Sequence, residues 1–210
     1  MGRGRITVTP GFLFLMAWCN YADQQGLLLP ALAGCALHEL GHLAAIWGLG
    51  GSVRRLRLTA VGAEIQLERP MSYPGELAAA LAGPAANLAL AVLGALVFTA
   101  MSLLLPVAQL AQSDVFYYFY TMFLPMFSLI NLYLMFFNLL PIPPLDGSSI
   151  FAFFLPKKYL PQYYKVQRYA MPVFLVVVLL VPYVLHFNPI GIYLDVTAGN
   201  VFDLLFSFAG

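Results

Sequence analysis

The chain has 210 residues, 61% of them hydrophobic and 9% charged, whereas soluble domains are roughly 45–50% apolar and about 25% charged. Lys and Arg number 10 and Asp and Glu 9, too few to coat a water-soluble globule, and a disordered chain would be polar and charged. The net charge of +1 offers no general attraction for nucleic acid, and Cys 2 is too few for a disulfide framework. Most of the chain therefore belongs in lipid, where each ionisable group needs a reason to be present.

A bilayer crossing takes ~20 predominantly apolar residues. The first apolar stretch, 12–22, is short and must borrow neighbours. Arginines ahead of it imitate a secretory signal, but no small-x-small cleavage site follows, and Trp18 directly before Cys19 disfavours lipoprotein-type cleavage. An uncleaved first span is expected. Residues 27–49 form the second span. Residues 52–69 alternate Val53, Leu56, Leu58, Ile65 and Leu67 with polar or basic residues, interrupted at Gly62, which predicts a β-hairpin over 53–67. Residues 6–9 offer a third strand. Open strand edges cannot face lipid, so this sheet is expected at the interface or against protein. Further spans are expected at 77–105, 115–140 and 169–186. In 192–208, Asp195, Gly199 or Asn200, Asp203 and Ser207 recur at four-residue spacing, one polar stripe on a helix. An interfacial amphipathic helix is preferred there over a sixth span with its stripe turned inward.

The fold class is thus an all-α polytopic membrane protein of five to six transmembrane helices with a small interfacial β-hairpin or sheet. Residues 1–155 form the core. Residues 156–210 hold a basic loop, the last transmembrane helix and the amphipathic tail, all within one integral membrane domain. Basic residues fall in three clusters: Arg3 and Arg5; Arg54, Arg55, Arg57 and Arg69; and Lys157, Lys158, Lys165 and Arg168. The intervening segments 23–25, 106–114 and 187–195 carry no Lys or Arg. This alternation places the N-terminus and both large basic loops in the cytoplasm.

Within the second span stands His38-Glu39-Leu40-Gly41-His42. An ionisable residue inside a span is a functional-site hypothesis by default. The i, i+4 spacing puts both imidazoles on one helix face, where they can bind one metal ion, while Glu39 can reach a water on that ion and take its proton. The bland alternative is two hydrogen-bonded histidines with Glu39 paired to one of them. His42 lies about 10 Å below the expected cytoplasmic end of its helix at ~1.5 Å per residue. A catalytic zinc needs a third ligand, and Asp146 is the other acidic residue that looks deeply placed. It ends the run Asn138-Leu139-Leu140-Pro141-Ile142-Pro143-Pro144-Leu145-Asp146-Gly147, whose prolines must unwind the helix. Alternatively, Asp146 merely caps the following helix. Cys35, one turn before His38, is read as an apolar filler rather than a ligand; His186 is read as interfacial. In the third span, Gly83-Pro84-Ala85-Ala86-Asn87 carries small residues that allow close helix packing and an amide that needs a partner.

These segments together resemble the site-2 protease family, the M50-type zinc metalloproteases that cut peptide bonds inside membranes. The resemblance rests on 38–42, 83–87 and 138–147 and extends over roughly residues 5–155. It implies one zinc ion per chain held by His38, His42 and Asp146, and Glu39 as the catalytic acid–base. It also implies substrate-binding roles for Asn87, Asn138, Gly83 and Pro141, and a hairpin at 53–67 that presents substrate as an added strand. The chain looks like a minimal bacterial or archaeal member without PDZ modules or a regulatory C-terminal domain. The expected function is zinc-dependent intramembrane endopeptidase activity on transmembrane or membrane-associated proteins. The expected partners are that substrate and the lipid bilayer, with no nucleic acid. The alternative is a non-hydrolytic zinc-binding scaffold or metal transporter, which would carry ligand residues along a path through several spans.

Overall fold

The computed structural model describes residues 5–24, 26–60, 62–105 and 113–207. Arg3 of the first basic cluster and most of the non-basic segment 106–114 lie outside the described residues. The chain opens with β1 (Arg5–Val8) and turns at once into α1 (Pro10–Ala22). Thr9 makes the turn: its side chain accepts from Phe12 N–H as an N-cap, and Pro10 occupies the first turn, where no backbone donor is needed. At 13 residues α1 is about 20 Å long, shorter than the ~30 Å hydrocarbon core.

Helix α2 (Leu28–Gly48) has no charged residue at its start. Asp23 supplies the missing acceptors from the preceding loop, taking the N–H groups of Leu27 and Leu28 at 2.9 Å each. The hairpin follows as β2 (Val53–Thr59) and β3 (Gly62–Leu67), with Leu56 opposite Ile65 and Leu58 opposite Ala63. Gly62 sits at φ 123°, a conformation a side chain would strain. β1 adds in parallel to β2, giving the order β1-β2-β3 and leaving β3 as an edge.

Helix α3 (Tyr73–Leu104) has 32 residues, capped by Ser72 with Pro74 in the first turn. Helix α4 (Asp114–Asn138) follows, 25 residues long. Then the helix unwinds from Leu139 to Leu145, as the prolines require, and restarts as the short α5 (Asp146–Phe154). Next comes a bent pair, α6 (Lys157–Ala170) and α7 (Pro172–Leu185), meeting at 42°. α2, α3 and α4 are each long and apolar enough to cross a membrane, and the bent pair is a fourth if taken as one span.

The last helix, α8, runs from 189 to 206 through one wider turn at Asp195–Gly199. Its apolar stripe packs along the bundle: Ala198 is fully buried with Ala91 of α3 and Leu132 of α4, and Val201, Phe202 and Leu205 lie beside them. Tyr133 of α4 donates to Asp195 at 2.8 Å and ties the tail's exposed polar stripe, which includes Asn200 and Asp203, to the bundle. The opposite face packs on helices because small Ala198 fits the α3–α4 seam.

The packing is the reverse of a soluble protein's. Leu96 is 62% and Leu103 77% exposed on α3, while the buried polar residues are His38, His42, Asn87, Ser128, Asn131 and Ser148. Small residues and amides share the inside with a few large aliphatics such as Leu124 and Leu132, and most large aliphatics face out, as expected for a bundle bathed in lipid. On α2 the buried residues Pro30, Gly34, His38, His42 and Ile46 form one i, i+4 row; on α3 Gly83, Asn87, Ala91 and Ala95 form another. Gly41 lets these helices approach: a Cβ there would lie 2.7 Å from the Ala82 carbonyl oxygen and 2.9 Å from Ala86 Cβ. Backbone cannot yield as a flexible side chain can. Gly41→Ala is therefore expected to lower stability by about 1–3 kcal/mol, read as a shifted midpoint in denaturant unfolding of the detergent-solubilised protein.

Candidate metal centre

The i, i+4 row on α2 sends His38 and His42 to the same side, against α3. Gly83 faces them. A Cβ on it would overlap His42 Nε2 and lie 2.7 Å from His38 Nε2, so the glycine makes room for both rings. Asp146 arrives from the other end of the sequence. It is the first residue of α5, with Leu145 in the cap position, so its side chain does not cap that helix. Gly147 permits the fold-back, since a Cβ there would overlap the carbonyl groups of Leu139 and Leu140. Helix α5 is tied down by Tyr73, whose hydroxyl donates to Phe153 O at 3.1 Å, and by Tyr163, which donates to Ser148 O at 2.9 Å.

The result is a near-equilateral triangle. His38 Nε2 and His42 Nε2 are 3.1 Å apart, and they lie 3.1 and 3.2 Å from Asp146 Oδ2. Tetrahedral zinc with bonds of about 2.0–2.1 Å separates its ligand atoms by roughly 3.3 Å, close to these edges. Proton positions lead to the same conclusion. His42 Nδ1 donates to the Ala79 carbonyl at 2.7 Å, so in the neutral ring Nε2 presents a lone pair. That lone pair faces a carboxylate oxygen and a second imidazole nitrogen, a set whose natural complement is a cation. His38, His42 and Asp146 form the group able to hold a metal ion among the described residues.

Glu39 lies beside the triangle without joining it. It lines the same cavity of about 450 Å³ as His38, His42 and Asp146, and its carboxylate makes no hydrogen bond among the described residues. The edge strand borders this cavity through Gly62, Ala63, Glu64 and Ile65. Asn138 and Pro144 line it too. Asn138 Nδ2 donates to Leu134 O at 2.9 Å, which leaves a second N–H and the Oδ1 atom. The other residues expected around substrate sit elsewhere. Gly83 packs against the Nε2 edges of both histidines, Asn87 is 0% exposed, and Pro141 is exposed; none of the three lines the cavity. His186 ends α7 with a left-handed backbone and lies outside the metal group. Cys19 and Cys35 are both free thiols, and Cys35 is not part of the triangle.

Sequence reasoning missed the Ala79 carbonyl that orients His42. No residue type marks a backbone acceptor; the one available hint is that Ala79 precedes Gly83 by one helical turn. It also missed the close passage of Gly41 over Ala82, although a glycine between two ligand-type residues was a visible sign.

The sequence profile of Peptidase family M50 matches residues 27–181, which include both histidines, Glu39, Asn87, Asn138 and Asp146. The chain belongs to peptidase family M50. This is the site-2 protease family that 38–42, 83–87 and 138–147 resemble. A zinc metalloprotease of Methanocaldococcus jannaschii is 30% identical over 135 residues, covering 63% of this chain and 35% of that protein. The matched part is thus about a third of that relative's length. The solved site-2 protease from Methanocaldococcus jannaschii has the same fold, with a TM-score of 0.59 at 20% identity, over 93% of this chain and 90% of that one. M50 membership agrees with the apolar composition and the three long apolar helices.

For this M50 chain, Asp146→Ala leaves the two imidazoles alone. Losing even an outer partner of a ligand costs about 10–100-fold, so losing a ligand is expected to cut zinc affinity at least ~100-fold in chelator competition.

Proposed function

We propose that this protein is a zinc-dependent intramembrane endopeptidase acting on transmembrane or membrane-associated proteins. The observation that carries this reading is the ligand triangle of His38, His42 and Asp146 with Glu39 free beside it in one cavity. In this reading the three ligands hold one zinc ion. When bound, zinc lowers the pKa of water and polarises a carbonyl oxygen. Glu39 takes a proton from the attacking water as its oxygen bonds to the scissile carbon, then delivers it to the amide nitrogen as the C–N bond breaks. The remaining N–H of Asn138 faces the developing oxyanion.

A transmembrane helix must unwind before its amides can react, which exposes backbone donors and acceptors. The β3 edge, bordering the cavity from Gly62 to Ile65, offers such a segment a strand partner. Pairing there replaces the hydrogen bonds lost on unwinding and lays the extended chain beside Glu39. The reading includes five or six spans, a core of 1–155, and a cytoplasmic N-terminus with the basic loops on the same side, in a prokaryotic cell membrane. The site then opens toward the cytoplasm.

Two measurements test it. Glu39→Gln is expected to retain zinc while cleavage of a membrane-embedded peptide falls by roughly 10²–10⁴-fold; cleavage at the wild-type rate would remove Glu39 from the reaction. Stripping the metal with a chelator is expected to abolish cleavage, and added zinc to restore it. Zinc flux across proteoliposomes with no peptide cleavage would instead identify a transporter.

A further inference from the structure

The metal triangle has a second, hidden side. A ligating imidazole almost always passes its other N–H to an acceptor, which fixes the ring and raises its basicity. His42 does so through Ala79. His38 does not: its Nδ1 is buried and without a hydrogen-bond partner among the described residues. The same is true of Asn87 Nδ2 and Oδ1 and of Asn131 Oδ1. Asn87 and Asn131 are both 0% exposed. An unpaired buried polar group costs about 1–3 kcal/mol, so each of these atoms requires a partner.

Helix register gathers them. α2 and α3 run antiparallel, with His42 against Ala79 and the His38 ring against Gly83. One further turn along α3 from Gly83 is Asn87, on the side of His38 away from His42. From α4, the Asn131 amide lies 3.1 Å from where a Cβ of Gly34 would stand, and Gly34 precedes His38 by one turn on the same face. Asn131 Nδ2 is engaged with Phe127 O at 2.8 Å, so its Oδ1 is the atom left over. Gly34 and Gly83 have no side chains to fill the junction. Neither asparagine lines the cavity that holds Glu39.

We infer that Asn87 and Asn131 hold one buried water molecule at the α2–α3–α4 junction, and that this water takes the proton of His38 Nδ1. The donor count balances. Nδ1–H of His38 and Nδ2–H of Asn87 donate to the water oxygen, and its two hydrogens go to Asn87 Oδ1 and Asn131 Oδ1. Buried waters typically make two to four such bonds, about three on average. Asn87 and Asn131 are then positioning residues for a metal ligand rather than contacts for substrate. The inference rests on the zinc reading of His38.

The test is zinc affinity of the full-length protein in detergent, by competition with a chelator, and the d–d absorption spectrum of its cobalt(II) form. Asn87→Leu and Asn131→Leu are each expected to weaken zinc binding by roughly 10- to 100-fold and to alter the cobalt spectrum. Because both act through one water, the double variant is expected to bind no worse than the weaker single one. Asn87→Thr keeps a neutral donor and acceptor at similar volume and is expected to bind zinc more tightly than Asn87→Leu, which separates lost hydrogen bonding from a damaged fold. Wild-type zinc affinity and an unchanged cobalt spectrum in both leucine variants would overturn the inference while leaving the zinc site standing. Losses that multiply in the double variant would also overturn it. A wild-type protein that binds no zinc would overturn the metal reading itself.

Discussion

Three ligand atoms 3.1–3.2 Å apart inside an apolar bundle impose the constraint on which the rest of this structure turns. With both Nε2 atoms unprotonated, two imidazole lone pairs and a carboxylate oxygen this close in a low-dielectric setting repel one another until a proton or a metal cation lies among them. Holding them there demands exact helix placement, and the local sequence serves that demand. Gly83 clears space for both rings, Gly41 lets α2 and α3 touch backbone to side chain, and Gly147 lets the unwound chain fold back so that Asp146 can arrive.

The same constraint explains the inverted packing. Without a hydrophobic drive between helices in lipid, close approach and buried hydrogen bonds must hold the bundle. The inner rows accordingly contain Gly, Ala, Asn and His, while leucine and phenylalanine cover the outside. Each buried amide then becomes consequential, because no bulk water can satisfy it. Asn138 lines the cavity, whereas Asn87 and Asn131 are fully buried away from its lining. Asparagines that look alike in sequence therefore occupy different surroundings in the bundle.

The sheet lies directly beside this centre. Its edge strand borders the cavity from Gly62 to Ile65, and β1 braces the sheet on the far side while leading directly into α1. A short first helix, an edge strand and the ligand triangle are thus linked by continuous chain. Strand edges are a liability in lipid; in the proposed reading this one takes up an extended substrate segment.

The sequence by itself singled out the residues that the fold brings together. Ionisable groups are so costly in a span that His38, Glu39, His42 and Asp146 stood out, and the i, i+4 spacing and proline run placed the histidines on one face and broke the helix before Asp146. The hairpin and its third strand were legible for a similar reason, since period-two alternation is a local signal. Tertiary structure decided what local pattern cannot encode. It oriented His42 through a backbone carbonyl, which no residue type announces. It buried Asn87 completely and away from the lining of the cavity that holds Glu39, because facing depends on helix register across α2, α3 and α4. It laid α8 along the α3–α4 seam, because a polar stripe shows amphipathicity but not what the opposite face will meet.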